Sequence, residues 1–244
     1  MPWELSRFGF KEMMACRGLI RDLFADDPPT LEDAAERAVE FLRNELLDSN
    51  GAPACALVRF FKTHPYRDLP ADLRDLVRAA APEAAENPNL RCLTLIATRG
   101  DEPDWNSRFG SRGHRVIPLV SVEMVQQAPM IAQLITQLGL PIANVVRPSR
   151  ALLLDQEQTA HNVFYVPRAL GSPYIVAQEE FVVRYGIASV LGFGGLLASG
   201  DLFTAIMFSR VAIPPDVADQ FRVVGLNLKI AMLPFARKPL FREE

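Results

Sequence analysis

Few side chains in this 244-residue sequence can carry chemistry. Its three histidines, His64, His114 and His161, stand singly. A metal site needs at least three ligands converging on one point. Scattered histidines do not provide that, so no metal is expected. His64, in "THPY", reads as a turn residue. A planar cofactor such as haem would take His161 or His114 as its ligand; the sequence names no cofactor. The three cysteines, Cys16, Cys55 and Cys92, are odd in number and far apart. They fit neither a disulfide framework nor a close-spaced zinc site. Cys55 and Cys92 fall in apolar runs and read as buried thiols, with a redox-sensing pair as the alternative. Arg59 lies inside the apolar run "ACALVRFFKTH". It reads as a buried cation that either answers an acidic ligand or pairs with Glu179 or Asp201, and structural pairing is favoured.

Motifs of catalysis are absent. "GFGG", Gly192–Gly195, has Leu197 where a dinucleotide fingerprint needs its third glycine, and no helix begins there. No P-loop, H-E-x-x-H or G-x-S-x-G elbow occurs. "SRGH", Ser111 to His114, brings a hydroxyl near an imidazole without any sign of an activated nucleophile. The carboxylates fall on helix surfaces and turns, with no pair confined for acid–base work. The sequence is therefore read as non-enzymatic.

These residues must be positioned by elements that the sequence outlines. A helix is expected around Phe10–Phe24, broken by "DDPP". A second follows from Thr30, which can cap it with Asp33 three residues on. Its apolar stripe runs through Leu31, Ala34, Ala35, Ala38, Val39, Leu42 and Leu46. Ala54–His64 has strand composition. Alternation places Cys55, Leu57, Arg59 and Phe61 on one face and Ala56, Val58, Phe60 and Lys62 on the other. Leu69–Pro82 reads as a short helix and Arg91–Gly100 as a strand. Arg115–Leu119 reads as an edge strand carrying Pro118. A helical region over 121–140 starts at Ser121 and is split or kinked by Pro129. The segment 141–160 is open between strand, helix and loop. "HNVFYVP" is a short strand, and a helix is expected over Val176–Tyr185. Then come two apolar strands, Ile187–Phe193 and "LFTAIMFSR", central in a sheet covered on both faces. Gly194, Gly195, Ser199 and Gly200 are assigned to the turn and bulge between them. A last helix carries Pro215 in its first turn and ends at Pro234.

Composition narrows the function classes. The chain is 49% hydrophobic and 23% charged, with a net charge of −3. These are ordinary values for a globular protein, and the charge gives no case for a general nucleic-acid binder. No apolar run reaches the roughly 18 residues that span a bilayer. The first residues lack the pattern of a signal peptide. A cytoplasmic location away from membranes is expected.

The block "FVVRYGIASVLGFGGLLASGDLFTAIMFSRVAIPPDVADQFRVVGLNLKIAML" resembles the end of a GAF domain. Gly186, Ile187, Ser189, Val190 and Leu191 match its "GI-x-S-V-L" strand, and Gly200–Ser209 match the strand after it. "CALVRFFKTHPY", "SRGHRVIPL" and "YGIASVLGFGGLL" look like the amino-terminal sensor region of bacterial histidine kinases and related regulators. The resemblance implies an α+β fold: an antiparallel sheet with terminal helices on one face and a helical insert around 121–160. The expected boundaries are an N-terminal helical extension over 1–28, one GAF-like domain over 29–235 and a tail or linker over 236–244. It also implies a non-catalytic sensor in signal transduction. Its small-molecule ligand would lie between the sheet and the segments 101–119 and 121–181. Trp105, His114, His161, Tyr165 and Tyr174 would then line the pocket, and Arg59 would contribute charge. The terminal helices near 10–47 and 215–233 would pair with a second copy in a homodimer and pass the signal to a histidine kinase or other output domain. Two alternatives stand. One is a dimerisation or interaction module with no ligand. The other is a GAF-fold redox protein of the methionine-sulfoxide reductase type relying on Cys55 and Cys92. Neither the cyclic-nucleotide signature nor a bilin-type cysteine position is matched.

Overall fold

From Cys55 to His64 every residue except Arg59 is buried. A strand buried on both faces belongs inside its sheet, and β3, Cys55–Pro65, does. The computed structural model describes residues 2–111, 113–148, 162–197 and 199–242. Around β3 run β4 (Arg91–Gly100), β5 (Val116–Pro118), β6 (Val163–Val166), β7 (Ser189–Leu196) and β8 (Leu202–Ser209). They form one six-stranded sheet in the order β5-β4-β3-β8-β7-β6, with every neighbour antiparallel. Two short strands, β1 (Trp3–Glu4) and β2 (Leu46–Leu47), pair separately. The fold is α+β, and Pro118 lies on the edge strand where a missing N–H does no harm.

Three helices cover one face: α1 (Phe10–Asp22), α2 (Leu31–Glu45) and α7 (Pro215–Met232). α2 starts as its sequence dictates. The Thr30 hydroxyl accepts from the Asp33 N–H at 3.0 Å, and the Thr30 N–H donates to the Asp33 carboxylate at 3.1 Å. Ala38 and Leu42 of α2, Ile20 of α1 and Phe221 of α7 share a core with Val58, Phe60, Phe193 and Phe203 of the sheet. α7 lies close because Gly225 bears no side chain: a Cβ there would stand 3.2 Å from that of Phe193. A smaller helix, α3 (Ala71–Ala80), closes the end of the sheet over Cys92 and Leu90.

Three short helices and a wide turn cover the opposite face. They are α4 (Val122–Gln126), α5 (Pro129–Gln137), α6 (Ile142–Val146) and the π-helical turn Gln178–Val183. Leu134, Ile135, Val145 and Val182 bury against Leu57, Phe61, Leu95, Phe164 and Ile206. Pro129 opens α5 and so separates it from α4. Within the expected insert, 142–146 is helix; residues 149–161 lie outside the described ones.

The helix expected over Val176–Tyr185 is present as the π-helical turn Gln178–Val183, closed by five-residue hydrogen bonds such as Val182 N–H to Ala177 O at 3.2 Å. Three expectations are corrected. His64 is not in a turn but inside β3, paired with Cys92. A bulge between Cys55 and Leu57 in the β3–β8 ladder turns Cys55 toward the terminal helices and Ala56 toward α4–α6. The simple alternation therefore fails at these two residues. Gly194 and Gly195 belong to β7, paired with Thr204 and Phe203, and the reversal is made by the residues between Leu196 and Leu202.

Candidate functional site

Arg59 projects from the middle of the sheet toward α4–α6, between Leu57 and Phe61 of its own strand. Across the ladder its partners are Thr98 on β4 and Ile206 on β8. Ile206 pairs with Gly192 of β7, and Gly192 with Phe164 of β6. The absent side chain of Gly192 lets the Leu134 methyl of α5 approach, since a Cβ would meet it at 3.3 Å. Apart from Thr98, Arg59 thus sits in an apolar row.

Neither carboxylate expected to pair with Arg59 does so. The Asp201 carboxylate is held by Lys62 at 2.9 Å, by Arg91 and by Ser199 at 2.7 Å. Glu179 is exposed on the π turn. Among the described residues the Arg59 Nε has no hydrogen-bond partner, and neither does the hydroxyl of Thr98. Burial lowers the guanidinium to about 10, which leaves it cationic at neutral pH.

An aromatic group closes one end of the same face. The Trp105 ring lies 4.5 Å from that of Tyr185 and 5.7 Å from that of Phe181, and Phe181 meets Phe208 edge-on at 5.0 Å. Gly100 admits the indole, which a Cβ there would meet at 2.7 Å. The Tyr185 hydroxyl donates to Glu102 at 2.9 Å. Tyr174 packs on this side too. Arg59, Trp105 and Tyr174 therefore share one face. Tyr165 packs with the opposite core, and its hydroxyl donates to the Ile213 carbonyl. His114 is exposed on the loop before β5. His161 lies outside the described residues.

A second polar cluster was not singled out from the sequence. Lys62 and His64, two residues apart on β3, meet Asp201 and Arg91 at the end of the sheet. The Lys62 side chain is 3% exposed, and its ammonium lies 3.2 Å from the His64 Nε2, which accepts from it. The His64 Nδ1 has no hydrogen-bond partner among the described residues. Burial first, then the Lys62 charge, push His64 down to about 3. Burial also lowers Lys62, against the pull of Asp201. On Asp201 burial acts upward, but Lys62, Ser199 and Arg91 outweigh it and hold the carboxyl below its usual range. The period-two spacing of Lys62 and His64 was the available signal; Asp201 is brought in only by the β3–β8 pairing.

This cluster makes stability depend on acid. The folded chain keeps His64 neutral down to about pH 3, whereas the unfolded chain takes up that proton near 6.5. The contribution is complete above pH 6.5 and is lost as pH falls from there toward 3. At pH 5 the loss is about 2 kcal/mol. Urea unfolding at pH 7.5 and 5.0 measures it, and His64→Leu should remove most of the difference. Equal acid sensitivity in both proteins would remove His64 as its source.

The cysteines do not form a redox pair in this geometry. Cys92 pairs with His64, at the far end of the strand that Cys55 opens, about 30 Å away at the usual strand rise. Burial pushes Cys16, Cys55 and Cys92 up to about 12, which disfavours the reactive thiolate. Among the described residues no three His, Cys, Asp or Glu side chains could hold a metal ion, and no helix is long and apolar enough to cross a membrane.

No family model and no curated protein matches the chain. Among solved structures it is similar to the phycocyanobilin-bound GAF domain from a cyanobacterial phytochrome, with 11% identity and a TM-score of 0.43, over 91% of this chain and 94% of that one. It is also similar to bacteriophytochrome RpBphP3 from R. palustris, with 10% identity and a TM-score of 0.41, over 94% of this chain and 39% of that one. A third is the N-acylhomoserine lactone dependent LuxR family transcription factor CepR2 from Burkholderia cenocepacia, with 11% identity and a TM-score of 0.39, over 94% and 99% of the two chains. Likenesses this distant carry no function across.

Proposed function

We propose that this chain is a sensory domain without catalysis. A small molecule held between the sheet and α4–α6 alters the packing of the sheet, and α1 and α7 on the other face carry that change into a homodimer and on to an output domain such as a histidine kinase. The cytoplasm is its place of action. A ligand moves such an equilibrium only by its difference in affinity for the two states.

The exposed side of the terminal helices carries this reading. Phe10 and Met14 on α1 and Val223 and Ile230 on α7 are exposed large apolar residues at helical spacing. Between the helices runs a groove of about 610 Å³, lined by Met14, Gly18, Phe24, Asn227, Ile230 and Phe235. Arg17, Arg21 and Asp27 also line the groove; exposed apolar residues edged by charge in this way favour a protein partner, and a second copy would present the same stripe. Light scattering at roughly tens of micromolar, within reach of ordinary dimer affinities, is expected to give a dimer. Met14→Glu and Ile230→Glu are expected to give folded monomers, because both side chains already face water. A monomeric wild-type protein would remove the dimer and its signalling route.

A further inference from the structure

We infer that Arg59 and Thr98 form the anion-binding end of the ligand site, and that the ligand is a small, largely apolar molecule bearing one carboxylate. This rests on the reading of the face under α4–α6 as the ligand face. A buried cation is stable only when something answers its charge. The covering elements offer nothing for Arg59: α5, Pro129–Gln137, and α6, Ile142–Val146, contain no acidic residue at all. Glu123 of α4 and Glu179 and Glu180 of the π turn are exposed. Glu102 accepts from Tyr185, and Asp201 is taken by Lys62 and Arg91. Among the described residues the charge is therefore left for a molecule that comes from outside.

Access and chemistry agree with that. Arg59 alone in the run Cys55–His64 keeps partial exposure. Its cross-strand partner Thr98 offers a buried hydroxyl with no partner among the described residues. Directly opposed side chains stand about 5 Å apart at Cβ, so a guanidinium fork and a hydroxyl can bind the two oxygens of one carboxylate. One positive charge beside a neutral donor balances a carboxylate. A phosphate, at about −1.5 to −2, would leave excess negative charge among apolar groups. Leu57, Phe61 and Ile206 around it ask for an apolar body.

Arg59→Met and Thr98→Val test this in the full chain, with octanoate and benzoate as probes and octanamide and inorganic phosphate as controls. Without ligand, Arg59→Met is expected to raise the urea midpoint, because it removes an unanswered, half-buried charge. Octanoate or benzoate should stabilise the wild-type protein and bind Arg59→Met at least tenfold more weakly, the loss expected for a charge-assisted hydrogen bond. Thr98→Val should weaken binding less. The inference is overturned if Arg59→Met lowers the midpoint without ligand, if phosphate stabilises as well as octanoate, or if neither carboxylate binds. Octanoate binding wild-type and Arg59→Met equally would overturn the anion site while leaving the ligand face standing. Failure of every apolar probe to bind would overturn both.

Discussion

Gly194→Ala is expected to cost about 3 kcal/mol or more, or to prevent folding. A Cβ at this position would strike the backbone of β8, 2.8 Å from the Thr204 Cα and 3.0 Å from the Phe203 carbonyl carbon. Both atoms belong to a strand that is buried along its whole length. Neither can move without breaking its pairing with β3 on the other side. The cost therefore comes from crowding between two central strands, not from backbone strain or a lost turn. Gly18→Ala is the matching control. It lies in α1 with nothing within 4 Å of the added methyl, and alanine in a helix gains about 1 kcal/mol over glycine. Urea unfolding followed by circular dichroism compares the two. A Gly194→Ala protein within about 0.5 kcal/mol of wild type, the ordinary range for a harmless surface change, would show that β7 and β8 are not packed this closely.

The same glycine shows which parts of the fold were legible. Local signals survived: the Thr30–Asp33 box opens α2, Arg91–Gly100 is the strand its composition describes, and Pro129 separates two helices. Each depends on residues within a few positions of one another. Gly194 was assigned to a turn because glycine is permissive there. Its actual constraint comes from Phe203 and Thr204 across the ladder, which no local pattern encodes. The bulge at Ala56 is likewise set by the register against β8. The π winding of the helix at 178–183 escaped because its apolar residues suit regular helical spacing as well. For the site, Arg59 was visible as a cation in an apolar strand. That Asp201 is unavailable to it follows only from the sheet order, which gives that carboxylate to Lys62 and Arg91.

Asp201→Ala is expected to cost about 3–5 kcal/mol, the largest effect of any single polar substitution here. The carboxylate accepts from Lys62 at 2.9 Å and from Arg91, and the Ser199 hydroxyl donates to it at 2.7 Å. Without it Lys62 keeps its buried position beside His64 and Phe203, its cross-strand partner, with no counter-charge among them. Arg91 reaches the edge of the cluster and can turn toward water, so Lys62 carries most of the penalty. Replacing that lysine should then relieve it. Lys62→Met in the Asp201→Ala background is expected to recover about 2 kcal/mol or more, since an apolar replacement of a buried pair is often neutral. Asp201 itself should add nothing to the acid sensitivity between pH 7.5 and 5. Its folded pKa lies below the ordinary 3.8, so its contribution is present above 3.8 and is lost only as pH falls through the lower folded value. A double-mutant cycle read by urea unfolding at pH 7.5 separates these effects. Additive single losses would mean that Lys62 and Asp201 do not answer each other's charge.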